Sequence, residues 1–268
     1  MKGRFTQFPS YLADRARTYR FGDIPVLLAH PDWRSTAPTV LWLHGRTANK
    51  ELDPGRYLRW IRAGIAACAI DLPGHGERTI AEYQTGRHSP AIIKQAVGEI
   101  DQVVAALAAP EFNHAFDTSR LAIGGMSLGG MVALRRLCDP HVFKSAAVEA
   151  TTGNLSGYFR PAGDPPAANE QDSEAVRSVD PMQHLDTWRP IPLLALHSEA
   201  DRLVPIASMR TFLEKLRAHY AAHGADPSLV TFHTWEQTGA QDEHIGFGRV
   251  SNDAKNLETD FFKRTLTT

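Results

Sequence analysis

Eleven residues, Leu121-Ala122-Ile123-Gly124-Gly125-Met126-Ser127-Leu128-Gly129-Gly130-Met131, constrain this chain more than any other stretch. They open as a short apolar run of strand character and lead into a helix-compatible segment, Met131 to Leu137. Between the two sits Gly125-x-Ser127-x-Gly129. A serine at a sharp strand-to-helix turn takes a strained backbone conformation, and its side chain stands clear of the sheet. The positions two before and two after it approach closely, so only glycine-sized residues fit. The following helix aims its N-terminal N–H groups and dipole at the serine, ready for an oxyanion. The bare pattern arises by chance in roughly one chain in ten of this length, so the flanking strand and helix carry the weight.

The rest of the chain repeats that strand-and-helix rhythm. Thr18 to His30 holds two short apolar stretches around Gly22-Asp23, compatible with a hairpin or paired edge strands. Val40 to Leu43 reads as a buried strand running into His44-Gly45-Arg46-Thr47. Tyr57, Leu58, Trp60 and Ile61 have helical spacing, with Gly64 placed to cap the helix. Ile65 to Ile70 is a further strand, ending at the turn-rich Asp71-Leu72-Pro73-Gly74-His75-Gly76-Glu77-Arg78. Ala91 to Ala109 is an amphipathic helix. Lys144 to Ala150, Ile191 to Leu196 and Val230 to Trp235 complete the strands. Ile206 to Tyr220 and Ala254 to Leu266 are the late helices, with Thr238 to Gly246 a loop.

Strands that are apolar on both faces and alternate with helices predict a mostly parallel sheet in a three-layer α/β/α sandwich. Thr151 to Val179 breaks the rhythm: it is rich in Gly, Pro, Asn and acidic residues, with Leu155, Tyr158 and Phe159 near its start. That composition predicts a small lid, not a second core. The expected organisation is one domain over residues 1–268, with 151–180 a short insertion.

Charge and cysteine usage exclude several classes. A formal net charge of −1 supplies no field to hold nucleic acid or an anionic membrane. Cys68 and Cys138 are the only cysteines, so no disulfide framework is implied and a reducing compartment is the default. No apolar run reaches transmembrane length, and the start of the chain lacks the apolar core of a signal peptide. The expected location is the cytoplasm. No metal-ligand spacing or phosphate-binding glycine loop occurs, so neither a metal nor a cofactor is expected.

In a parallel sheet, functional groups gather at the carboxyl ends of the strands. His44-Gly45-Arg46, Asp71 to Gly76, Ser127, Asp201 and the His244 loop all follow predicted strands. Serine is a poor nucleophile at neutral pH and needs a base, usually histidine, oriented by a carboxylate. The order Ser127, Asp201, His244 is the one associated with a serine elbow. Of the 12 histidines, His233 in the last strand and His219 and His223 around a helix end read as structural. His44 and His75 read as satisfied hydrogen-bonding residues of their loops. Asp242 and Glu243 read as solvated loop charges. Arg46 and Arg78 either bring positive charge to the pocket mouth or are surface arginines paired with Glu77 or Asp53.

From about Val40 onward the chain resembles the α/β-hydrolase fold family. The matching pieces are His44-Gly45, Asp71-x-Pro73-Gly74-His75-Gly76, Gly125-Met126-Ser127-Leu128-Gly129-Gly130, Glu199-Ala200-Asp201-x-x-Val204-Pro205 and the late His244. The small insertion is most similar to dienelactone-hydrolase-like and prolyl-oligopeptidase-like single-domain esterases. The resemblance implies Ser127 as nucleophile, Asp201 as acid and His244 as base. The oxyanion hole would be the backbone N–H groups of Leu128 and Arg46. Glu149, at the end of the preceding strand, stands where some lipases of this fold carry the acid. Ser198 stands where glycine commonly follows the histidine of the acid-bearing strand. The nucleophile is serine where true dienelactone hydrolases carry cysteine, and the chain has no room for the propeller that gates oligopeptidases.

The implied activity is that of a serine carboxylesterase on small soluble esters, through an acyl-enzyme. Thioesterase, acyltransferase and small-peptide hydrolase chemistry use the same groups, and a non-hydrolytic ligand-binding member is the rival from another class. The expected partner is a small-molecule ester, with no nucleic acid and no membrane; self-association into a homo-oligomer is left open. The prolines and acidic residues of Pro161 to Glu174 cannot form a broad apolar lid face, which predicts short acyl chains, acetyl to butyryl.

Overall fold

The computed structural model describes residues 8–159 and 173–267. Eight strands form one sheet: β1 (Ala16–Phe21), β2 (Ile24–Ala29), β3 (Ala37–Leu43), β4 (Ala66–Ile70), β5 (Phe116–Met126), β6 (Ser145–Glu149), β7 (Leu193–Ser198) and β8 (Val230–Trp235). Their order is β1-β2-β4-β3-β5-β6-β7-β8. The β1–β2 hairpin turns at Gly22-Asp23, and β2 runs antiparallel to β4; every later pairing is parallel. This is the α/β-hydrolase fold.

Alternation along each strand explains the two helical layers. Leu41 and Leu43 of β3 face one core while Val40 and Trp42 face the other. The first core is closed by α3 (Ser89–Leu107), α4 (Leu128–Arg136) and α7 (Ile206–Ala222), through residues such as Ile100, Val132 and Phe212. The second is closed by α1 (Ser10–Ala13), α2 (Pro54–Arg62) and α8 (Ser251–Leu266). There Trp60 meets Trp42 and Phe262 edge-on, each with ring centroids 5.6 Å apart. Helix α2 ends as its sequence predicts: Gly64 takes φ +79°, Gly64 N–H donates to Ile61 O and Ile65 N–H to Trp60 O. That pair of bonds is a Schellman cap, which needs the left-handed conformation glycine adopts freely.

The insertion is less detached than its composition predicts. It contains α5 (Leu155–Phe159) and α6 (Ser173–Val179), and Leu155, Val176 and Val179 are buried in the first core. Buried Asp180 accepts from the N–H groups of Leu155, Ser156 and Met182, tying both ends of the insertion together. Pro161 to Pro166, Glu170 and Asp172, part of the basis for expecting an open lid, lie outside the described residues. No described helix is long and apolar enough to cross a membrane.

Candidate active site

Ser127 sits between β5 and α4 with φ +52° and ψ −119°, a conformation that costs a β-carbon-bearing residue about 1–3 kcal/mol. Neighbouring bonds hold it there. Ser127 N–H donates to Glu149 O at 2.8 Å, and its carbonyl accepts from Met131 N–H and the Thr151 hydroxyl. Gly129 is required by contact: a Cβ there would lie 2.1 Å from Leu43 O and 2.5 Å from His44 O. The turn of α4 therefore presses against the end of β3, which brings the His44-Gly45-Arg46 loop beside the serine. A Cβ on Gly45 would lie 3.5 Å from Ser127 Cβ.

The structure brings Ser127, His244 and Asp201 into one hydrogen-bonded line. His244 Nε2 is 2.9 Å from Ser127 Oγ, and His244 Nδ1 is 2.7 Å from Asp201 Oδ2. Asp201 accepts only, so Nδ1 carries the proton and Nε2 is free to accept from the serine hydroxyl. Asp201 Oδ1 accepts from the N–H groups of Leu203 and Val204 at 2.9 and 2.8 Å, which fixes the carboxylate. A histidine so placed can take the serine proton, and the buried carboxylate stabilises the imidazolium that results. Leu128 is the first residue of α4, so its N–H has no intrahelical acceptor. Among the described residues, neither that N–H nor that of Arg46 is bonded to a protein acceptor.

The loop that delivers His244 is anchored by its neighbour. Glu243, read from sequence as a solvated charge, instead accepts from Thr238 Oγ1, Gly239 N–H and Ser198 Oγ at 2.8, 2.8 and 2.9 Å, and from Thr238 N–H. Those donors, the Thr238 N–H first, hold its carboxyl down at about 2. Ser198, at the position where glycine is common, is thus one of the donors that pin the histidine loop to the end of β7. Asp242 contributes its carbonyl, which accepts from Arg202 N–H at 3.0 Å.

The competing residues are placed elsewhere. Glu149 points under α2 and α8, where Arg56 Nη2 donates to it at 2.8 Å. Arg56 also donates to Asp53 at 3.0 Å, touches Glu258 and lies 4.1 Å from the Trp42 ring centroid. His44 donates from Nδ1 to Gly45 O at 2.7 Å and accepts Leu72 N–H at Nε2, 3.0 Å away. Burial, with His75 and Lys50 nearby, pushes it down to about 4, so it is a neutral strut between two loops. His75 Nδ1 bonds Pro73 O at 2.8 Å. His219 Nε2 bonds Trp188 O at 2.8 Å, His223 Nδ1 bonds His219 O at 2.8 Å, and His233 packs on Trp235.

Neither arginine is paired as the sequence suggested. Arg78 forms a fork with Glu99 at 2.8 and 2.6 Å and donates to Asp71 O. Glu77 is bonded by buried Lys50 at 2.6 Å, and Asp53 by Arg56 and Lys255. Arg46 donates to the Ser89 hydroxyl at 2.6 Å and has no ion pair among the described residues. Lys50 was not singled out from sequence; it joins the His44 and Asp71 loops by bonding Asp71 at 2.8 Å as well. A lysine within a polar loop carries no local signal of burial.

Comparison with known proteins finds an esterase relative and solved structures of the same fold. The chain is 27% identical over 255 residues to the esterase YjfP of Escherichia coli K12, covering 91% of this chain and 96% of that one. It superposes on TT1662 from Thermus thermophilus with a TM-score of 0.68 at 23% identity, covering 95% and 99% of the two chains. It also superposes on a puromycin-hydrolyzing peptidase of Mycobacterium tuberculosis with a TM-score of 0.70 at 18% identity, covering 96% of this chain but 41% of the peptidase. The sequence profile of the prolyl oligopeptidase family matches residues 56–268, and the chain belongs to that family.

Proposed function

We propose that this serine hydrolase cleaves small, soluble carboxylic esters of short acyl chains through an acyl-enzyme. The observation that carries the reading is the continuous line from Ser127 Oγ through His244 to Asp201, at 2.9 and 2.7 Å. Ser127 Oγ attacks the ester carbonyl while its proton passes to His244 Nε2. The carbonyl electron pair moves onto oxygen, where the N–H groups of Leu128 and Arg46 receive it. Collapse breaks the bond to the alkoxy oxygen, which takes the proton from His244. Water then attacks the acyl-enzyme with His244 again as base, and the freed acid leaves Ser127 protonated.

His244 hands its proton to the departing oxygen, so the alcohol leaves on the side of the His244 loop. A cavity of about 260 Å³ lies beside that loop, lined by Leu52, Met126 and Ile245 and also by the paired Asp53, Arg56 and Lys255. Its apolar part suits an alkyl or aryl alcohol. YjfP is named an esterase and is covered along 96% of its length. That likeness supports an ester substrate.

A fluorophosphonate should add once, at Ser127, and Ser127→Ala should lower turnover of p-nitrophenyl esters by about 10⁴-fold or more. Across acyl chains from two to twelve carbons, kcat/KM should peak between acetyl and butyryl. Labelling that persists in the alanine variant, or peptides cleaved far better than esters, would overturn the reading.

A further inference from the structure

One cation at this site has no counter-charge among the described residues. The Arg46 guanidinium follows the oxyanion loop by a single side chain's length. Its Nη2 donates to Ser89 Oγ at 2.6 Å, and that hydroxyl in turn donates to Gly86 O at 2.7 Å. Its Nη1 is buried and has no hydrogen-bond partner among the described residues. The carboxylates that sequence offered to it are occupied: Glu77 by Lys50, Asp53 by Arg56 and Lys255. The neighbouring groups do not offset it. Ser89 opens α3, so the guanidinium sits against the positive end of that helix. Tyr158, the acidic group among the described residues whose field reaches Arg46, is kept protonated by burial. His75 is kept neutral by burial and by Arg46 itself.

Leaving such a charge half-buried and unpaired is costly, and an anion of the right reach removes the cost. Two considerations set that reach and its side. In the mechanism proposed above the Arg46 N–H receives the ester oxygen, while its guanidinium lies against Ser89 and Gly86, which do not line the cavity beside Ile245 and Gly246. The anion therefore belongs to the acyl half of the substrate and not to the alcohol. One arginine side chain separates it from the carbonyl, about the span of a succinyl or glutaryl chain.

We propose that Arg46 selects acyl groups ending in a carboxylate, so that the preferred substrates are half-esters of short dicarboxylic acids. This rests on the ester-hydrolase reading above and adds the substrate's charge to it. It is also compatible with a small acyl pocket, because the chain ends at the guanidinium.

The test compares mono-p-nitrophenyl glutarate with its neutral terminal-amide counterpart, each corrected for spontaneous hydrolysis. The ratio of the two kcat/KM values is read within each variant, so any change in the oxyanion hole cancels. Wild type should favour the anionic ester by about 10- to 100-fold. Arg46→Gln should bring the ratio to near one, and Arg46→Lys should retain part of it. A wild-type ratio near one, or a ratio unchanged in Arg46→Gln, would overturn the proposal while the hydrolase reading stands. If neither ester is turned over and fluorophosphonate leaves Ser127 unlabelled, the hydrolase reading fails. Calorimetry then decides the anion site by itself: glutarate binding to wild type and lost in Arg46→Gln supports it, and equal behaviour of glutarate and glutaramide ends it.

Discussion

Two polar clusters lie on either side of the Glu149 backbone, and they are built on opposite principles. On the rim, Ser127, His244 and Asp201 form a line with one end open towards substrate. The backbone around it is strained: Ser127, Asp242, Glu243 and Phe247 all have positive φ. Beneath it, Arg56 is enclosed by Glu149, Asp53 and Glu258, with Lys255 bonded to Asp53. There two cations face three carboxyls, and burial pushes Glu149 upward despite Arg56. Both clusters contain a buried carboxylate next to the serine turn. Only the rim carboxylate is bonded to a histidine, so the same chemical group orients a base in one place and closes a salt-bridge cage in the other.

The sharpest test of that division exchanges the two acids. Asp201→Asn should lower kcat by roughly 10³- to 10⁴-fold with little change in fold, because the imidazole loses its tautomer and its stabilised cation. Glu149→Gln should leave kcat within about 10-fold of wild type. Steady-state kinetics that reverse this order would break the comparison and move the acid to β6.

The cage should respond in stability where the rim responds in rate. Arg56→Met leaves buried carboxylates without their cation and should cost about 3–5 kcal/mol in denaturant unfolding. A variant as stable as wild type would mean that the cage is not held by its charges.

Acid should act through the struts that hold the rim. His44 is lowered from 6.5 to about 4, burial being the main cause. The unfolded chain binds that proton first, so stability is fully present above pH 6.5 and is lost as pH falls towards 4, by about 3 kcal/mol for this group. His141, also lowered to about 4, chiefly by burial and then by Arg189, adds in the same direction. Melting temperature measured from pH 7 to pH 4 should fall across this window, and His44→Asn should flatten part of the slope. A wild-type profile without that slope would show that His44 is not held neutral.

The smallest effect is expected at the anchor beside the base. Glu243→Gln keeps the shape but weakens the bonds to Thr238, Gly239 and Ser198, and should lower kcat roughly 10-fold through misplacement of His244. A change confined to KM would place Glu243 in substrate binding instead.

Local pattern carried the strands, the helices and the glycine-flanked turn at Ser127, because each depends on residues within a few positions along the chain. The cap at Gly64 and the burial of both faces of β3 are of that kind. The candidate acid and base were legible from their chain order and from the loops that follow strands. Other assignments were decided by which loops meet. Glu243 is 45 residues from Ser198, and Glu149 is 93 from Arg56. Arg78 finds Glu99 across a helix, while Arg46 finds no carboxylate among the described residues. Adjacency in sequence made Glu243 look solvated and gave Arg46 and Arg78 plausible partners in Glu77 and Asp53. A charge's partner depends on distances of about 3 Å between elements far apart in the chain. Sequence order sets which elements exist, and only their packing sets those distances.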